Sequence, residues 1–110
     1  MFDLANALQA GRPLECTLDA TVCDSPREYF GNRTKAEHEY FHVVCQGQRL
    51  EVVQNLNCSP NVPVQPGDAI ELHGELVPHG SHGALMHWTH HDPSGRHEDG
   101  WVLDHGQRYG

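Results

Sequence analysis

The chain has 110 residues, a formal net charge of −8 and a hydrophobic content of 37%. This length allows a single domain with a modest core, so we expect one domain over residues 1–110. An acidic surface repels a phosphate backbone and disfavours non-specific nucleic-acid binding, and no apolar run approaches the roughly 20 residues needed to span a bilayer.

The first residues and the cysteines predict a cytoplasmic protein. Residues 1–8 lack the basic segment and the long apolar segment of a signal peptide, although a chain trimmed at its start would look the same. The four cysteines show no C-x-x-C spacing and are expected to be reduced thiols. They are Cys16, Cys23, Cys45 and Cys58.

The hydrophobic pattern predicts one short helix followed by strands. Apolar residues at positions 2, 4, 5 and 8 mark a helix face, and the helix is expected to end at Gly11. From residue 14 onwards apolar and polar residues alternate, which indicates half-buried strands between glycine- and proline-rich turns. We expect strands at 14–23, 37–45, 49–54 and 69–77 and a fifth beginning at residue 84, with polar loops at 24–35 and 55–68.

This pattern favours a mainly β fold, namely a small OB-like five-stranded antiparallel barrel with a short N-terminal helix and a C-terminal histidine-rich hairpin. Pro66-Gly67-Asp68 precedes the fourth strand and Gly74 lies within it. Both features resemble an OB-fold strand in which a glycine permits sharp coiling. The comparison concerns the fold alone and implies no ligand.

Histidines are concentrated in the C-terminal part, where eight of the ten lie between residues 73 and 105. Neutral imidazole is the commonest protein ligand for transition metals, and it changes charge near neutral pH. No stable fold needs so many imidazoles close together. A metal site is therefore the first interpretation.

The sequence Asp-Pro-Ser-Gly at residues 92–95 is typical of a tight turn, with Asp92 as its cap. In the common hairpin register for such a turn, His91 faces His97. A loop one residue shorter instead places His90 opposite His97. Both registers bring two imidazoles together and leave Asp99 nearby.

We expect this segment to bind one divalent transition metal. The predicted ligands are His91, His97 and Asp99, with His38 reaching the site from across the barrel. Two imidazoles and a carboxylate suit zinc first, and also manganese, nickel, iron or cobalt.

The leading functional hypothesis is metal-assisted hydrolysis of a phosphodiester such as nucleic acid. The metal would activate water or polarise the phosphoryl oxygen, His87 or His90 would act as general base, and Arg96 would steady the developing charge. The alternative is a non-catalytic metal-binding or protein-interaction module. A role in binding single strands is disfavoured by the acidic charge and the few aromatic residues.

The C-terminal third resembles a small bacterial family of uncharacterised function. The resemblance rests on the pattern G-E…H-W-T-H-H-D-P-x-G-R-H-x-x-G-W…Y, which begins here at Gly74 and ends at Tyr109. Members typically carry Arg-His-x-x-Phe, which resembles residues 37–41 with the arginine lost, and His-Asn where this chain has Gln54-Asn55. The resemblance implies a small barrel and a shared histidine site, and it implies no activity. Because many members are exported, a periplasmic location is the alternative for a chain trimmed at its start.

Overall fold

The computed structural model describes residues 2–80 and 82–110, so Met1 and Ser81 of the predicted domain lie outside the described part. The fold is mainly β, with one short helix and eight strands among these residues. In chain order the elements are α1 (Leu4–Ala10), β1 (Leu14–Val22), β2 (Arg27–Gly31), β3 (Ala36–Cys45), β4 (Gln48–Asn55), β5 (Ala69–Gly80), β6 (Gly83–His87), β7 (Trp101–Asp104) and β8 (Gln107–Tyr109). Among the described residues, no helix is long and apolar enough to cross a membrane.

The strands form one sheet in which the pairing of five strands returns to its starting point. β1 pairs with β3, β3 with β4, β4 with β6, β6 with β5, and β5 again with β1. The pairs are antiparallel except for β4 and β6, which run parallel and correct the expectation of a wholly antiparallel sheet. β2 pairs with β3 outside this cycle, and β7 and β8 continue from β5.

The core lies on the inward face of these strands, as the alternating pattern predicts. On β1, the buried residues fall at every second position from Cys16 to Val22. The largest fully buried apolar side chains are Phe41, Leu4, Leu50, Leu72, Leu76 and Met86. The hydrophobic cluster among the described residues includes Leu4, and Ala7 and Leu8 pack against it, so α1 lies with one face on the sheet. Asp3 caps the start of α1 with its side chain, and Gly11 ends it at φ 72°.

The polar loop predicted at 24–35 contains β2, which pairs with β3 from Arg27↔Tyr40 to Gly31↔Ala36. Four of the five β2 residues are exposed. The strand therefore has no buried face, and its sequence carries no alternation to reveal it.

The predicted C-terminal hairpin is wrong, because β6 and β7 do not pair with each other. Both run antiparallel to β5, where His87 at the end of β6 lies opposite Glu75 and Trp101 at the start of β7 lies opposite His73. The two strands thus follow one another along the same edge of β5. Residues 88–100 connect β6 to β7 and lie outside the sheet as a loop. The strand residues that flank this loop pair with positions of β5 that are only two residues apart. We call this segment the histidine loop.

Candidate functional site

Two glycines allow both ends of the histidine loop to enter the sheet at one point. A Cβ atom on Gly74 would lie 2.4 Å from the carbonyl oxygen of His87, and one on Gly100 would lie 2.1 Å from that of Trp88. Trp88 itself adopts φ 57°, a left-handed conformation that ends β6. The mid-strand glycine of β5 therefore makes room for the loop, which is a different role from the coiling expected from the sequence.

A buried amide holds the loop to β4. Gln54 is fully buried and donates from Nε2 to the carbonyl oxygen of Thr89 at 3.1 Å, while the Thr89 hydroxyl donates to Gln54 Oε1. Thr89 is also fully buried. Gln54 and Thr89 thus hold the histidine loop against β4.

Replacing Thr89 by valine is expected to lower the free energy of unfolding by about 1–3 kcal/mol, because Gln54 Oε1 would be left buried without a donor. Valine keeps the shape of threonine, so the change isolates the hydroxyl. The measurement is urea unfolding of both proteins. Thr34→Val is the matched control, since its hydroxyl makes only an exposed 3.5 Å contact with the Gly31 carbonyl. Equal losses in the two variants would contradict this role of Gln54 and Thr89.

The predicted turn is present inside the loop. Gly95 donates its backbone N–H to the carbonyl of Asp92 at 3.1 Å. The Asp92 carboxylate accepts the backbone N–H groups of Ser94 and Arg96 and the Ser94 hydroxyl. These bonds, the Ser94 hydroxyl foremost, hold the pKa of Asp92 well below its usual range. Asp92 therefore caps the turn, as the sequence indicates.

The loop and the neighbouring strands β3, β4 and β6 enclose a groove of about 600 Å³, which we call the histidine groove. It brings together five of the seven residues that the sequence singles out. Its chemically active lining is His38, His87, His90, His97, Arg96 and Cys58. The remaining two predicted residues, His91 and Asp99, do not line it.

Three of these histidines share one hydrogen-bonding arrangement. Nδ1 of His38 lies 3.0 Å from the carbonyl oxygen of Ala36, Nδ1 of His90 lies 2.8 Å from that of His91, and Nδ1 of His97 lies 2.8 Å from that of Glu98. A carbonyl oxygen only accepts, so each Nδ1 carries a proton, and in the neutral imidazole Nε2 then has its lone pair available. Metal-bound histidines are typically oriented in this way by their other ring nitrogen. Nε2 of His97 lies 3.8 Å from Asp92 Oδ2.

The three imidazoles are held in place by packing. His97, whose side chain is 7% exposed, stacks on Trp88 at 4.8 Å and meets His90 edge to face at 4.9 Å. His38 is buried and stacks on Tyr29 at 5.1 Å. Burial also lowers the pKa of His90, which favours the neutral imidazole.

The ligand atoms of the three histidines are not gathered to chelating distance. Among the described residues, these three histidines do not form a group in which one ligand atom from each lies within 4.8 Å of the others. Nitrogen ligands of a tetrahedral zinc lie roughly 3.4 Å apart. Binding one ion with all three would therefore require the three histidines to move closer together.

Two further groups complete the groove. His87 Nε2 lies 2.7 Å from Glu75 Oε1, and the His87 ring stacks on Trp88 at 4.7 Å. Its Nδ1 makes no hydrogen bond within residues 2–80 and 82–110. Arg96 is exposed at the rim, and its guanidinium forms no ion pair with any described residue.

His91 and Asp99 form a separate pair on the outside of the loop. His91 Nδ1 lies 2.7 Å from Asp99 Oδ1, and the two side chains are 59% and 55% exposed. The hydrogen bond from His91 lowers the pKa of Asp99. Neither predicted hairpin register is present, but the ring of His90, and not that of His91, contacts the ring of His97.

Sequence reasoning missed a second cluster at the base of the loop. His73 Nε2 lies 2.7 Å from Glu98 Oε1 and 3.5 Å from Glu15 Oε2, while its Nδ1 lies 2.7 Å from the Thr17 hydroxyl. Burial, followed by the nearby Glu98, raises the pKa of Glu15. The cluster ties the loop to β1 and β5. No spacing in the sequence could reveal it, because its members are brought together by strand pairing.

The histidine groove continues into a second groove of about 720 Å³ along β3 and β4. The two share His38, Val53 and His87. We call the second one the aromatic groove, since its lining includes Tyr29, Tyr40 and His42. The rings of Tyr29 and Tyr40 meet at 5.6 Å and those of Tyr40 and His42 at 6.1 Å.

The model of a family described as "Protein of unknown function (DUF3465)" matches residues 29–110 of the chain. The chain belongs to this family. The match to the DUF3465 family contains the last three residues of β2, all of β3 to β8, both grooves and the histidine loop, and it leaves out α1 and β1. No curated protein and no solved structure gave a significant match.

Proposed function

We propose that this protein binds one divalent transition-metal ion, zinc first, in the histidine groove through Nε2 of His38, His90 and His97. The observation that carries the proposal is the shared tautomer of these three buried or half-buried imidazoles. Each Nδ1 lies within hydrogen-bond distance of a backbone carbonyl oxygen, so in the neutral imidazoles the three Nε2 atoms have their lone pairs available for a metal. His90 takes the place of His91 and Asp99 in the ligand set predicted from the sequence.

The donor set fits zinc chemically. Zinc accepts imidazole nitrogen, and three protein ligands leave a fourth position for water, which is the arrangement of catalytic zinc sites. Neutral imidazole is the form that binds a metal, and the burial of His90 favours that form.

The test is histidine nitrogen NMR of the metal-free and zinc-loaded protein. We expect the Nδ1–H tautomer for all three histidines before zinc is added, and a large shift of their Nε2 signals afterwards. His79, which is exposed, serves as the internal control. Unshifted Nε2 signals at saturating zinc would contradict the proposed ligands.

We further propose that the bound metal serves the hydrolysis of a phosphodiester, because an unpaired guanidinium and a fixed histidine share the groove with the ligands. A bound zinc lowers the pKa of a water molecule and polarises a phosphoryl oxygen. Arg96 would hold the phosphate, and His87, oriented by Glu75 at 2.7 Å, would accept a proton at Nδ1. The adjoining aromatic groove offers rings on which a nucleobase can stack. A non-catalytic metal-binding module is the alternative outcome of the test given below.

The barrel architecture of the fold and the cellular location of the protein are also proposals. We propose that the closed pairing of β1, β3, β4, β6 and β5 is an OB-like five-stranded barrel, to which β2, β7 and β8 are additions. The support is the cyclic strand order with its single parallel pair. A cytoplasmic location stays a prediction, in keeping with four free cysteines.

A further inference from the structure

A second group of possible metal ligands lies where β5 begins and β7 ends. It consists of Asp68, Asp104 and His105, whose ligand atoms all lie within 4.8 Å of one another. His105 Nε2 is 3.4 Å from Asp68 Oδ1 and 3.5 Å from Asp104 Oδ1. None of the three lines the histidine groove.

Asp104 is the unusual member of this group. Its side chain is 5% exposed, and its Oδ1 atom is shielded from solvent without any hydrogen-bond partner in the described chain. Burial raises the pKa of this carboxyl, and the neighbouring Asp68 raises it further. A buried carboxylate oxygen without a hydrogen bond is costly, and the nearest basic group, the exposed His105, lies 3.5 Å away.

The spacing of the three side chains fits ligands around an ion better than a direct hydrogen bond. An N–H···O bond places its heavy atoms about 2.7–3.2 Å apart, and both contacts of His105 Nε2 are longer. Adjacent nitrogen and oxygen ligands about 2.1 Å from an ion would lie roughly 3.4 Å apart around a tetrahedral ion and about 3.0 Å apart around an octahedral ion such as Mn²⁺, so the group lies near chelating distance.

The surrounding backbone fixes two of the ligands. Asp68 Oδ2 accepts the backbone N–H of Gln65 at 3.0 Å, which leaves Oδ1 facing the other two residues. His105 occupies the tight turn between β7 and β8 at φ 50°, followed by Gly106 at φ 76°. The side chain of His105 is 78% exposed, so the group is open to ions and water from one side.

We propose that Asp68, Asp104 and His105 form a second divalent-cation site, which neutralises Asp104 and ties the β7–β8 hairpin to the start of β5. Two carboxylates and one imidazole suit a harder ion than the three imidazoles of the histidine groove, and Mn²⁺ is the probe we choose. Water would fill the remaining positions on the exposed side.

The test is calorimetric titration of the metal-free protein with Mn²⁺, together with thermal unfolding with and without the ion. Because the histidine groove could also take manganese, the titration is carried out on the His90→Ala protein, and we expect a Mn²⁺ site there whose affinity falls at least about tenfold when Asp104→Asn is added, since a ligand is lost. Asp19→Asn, an exposed aspartate on β1, is the matched control and, added to His90→Ala, should leave the affinity unchanged.

Thermal unfolding distinguishes a metal site from a merely structural carboxylate. Mn²⁺ should raise the Tm of the His90→Ala protein by several degrees and leave it unchanged once Asp104→Asn is added, because only a protein that binds the ion is stabilised by it. Should Asp104→Asn fail to fold, His105→Gly removes a ligand at a position whose positive φ suits glycine. No binding to the His90→Ala protein, or equal binding to the ligand variants and the control, would overturn the proposal.

Discussion

Replacing His90 by alanine is expected to weaken zinc binding at least about tenfold, and the same loss is expected for His38→Ala and His97→Ala. Each variant removes one of the Nε2 atoms proposed to hold the ion. Calorimetric titration with zinc measures the effect. His79→Ala and His91→Ala are the controls, because both residues are exposed and neither lines the histidine groove.

The two histidines next to each other in sequence make this a sharp comparison. His90 lies in the groove and His91 on the outside with Asp99. A loss in His91→Ala without one in His90→Ala would contradict the proposal and restore the ligands predicted from the sequence. Zinc binding should also weaken below about pH 6, because protonated imidazole cannot bind a metal.

Replacing Arg96 by alanine is expected to reduce phosphodiester hydrolysis about 10²–10³-fold while leaving zinc affinity unchanged, as when one group that stabilises developing charge is removed. Arg96 is exposed, so the fold should tolerate the change. Rates are measured on single- and double-stranded DNA, RNA and a generic phosphodiester, each with zinc, manganese, nickel and magnesium. Arg12→Ala, an exposed arginine beside α1, is the matched control.

The outcomes of this assay separate the two candidate functions. Activity that survives both a chelator and His90→Ala would come from a contaminant. Intact substrates in every metal, with zinc binding retained, would favour the non-catalytic metal-binding module. Equal losses in the two arginine variants would remove Arg96 from the proposed chemistry.

Much of the fold could be read from the sequence wherever one face of an element is buried. β1 is the clearest case, since the predicted range 14–23 and the observed Leu14–Val22 differ by one residue. β2 could not be predicted, because four of its five residues are exposed and its sequence shows no alternation of apolar and polar residues.

The histidine loop shows why the predicted hairpin failed. Its turn at residues 92–95 depends on local bonds to Asp92, which sequence chemistry reveals. Whether the flanking residues pair with each other depends on β5, which is long enough to take β6 and β7 one after the other. That competition between strands is set by the tertiary fold and leaves no local signal.

The sequence predicts most of the residues that belong to the candidate site, but only some of the contacts between them. Five of the seven predicted residues line one groove, because a dense run of histidines beside a turn must place several on the same side. That His90 and not His91 lines the groove depends on the loop conformation, which includes a left-handed Trp88 and which the sequence does not reveal. Gln54 and Glu75 were missed, because their partners are distant in sequence.

The central claim, a metal held by the histidine groove, is tested most directly by elemental analysis of protein purified without a histidine tag and exposed to zinc. The wild type is compared with a His90→Ala/His97→Ala double variant after both have been dialysed. The account predicts that the wild type contains one more zinc ion per chain than the double variant. Any zinc bound at the Asp68–Asp104–His105 site is present in both proteins and does not change this difference. Equal zinc contents in the two proteins would contradict it.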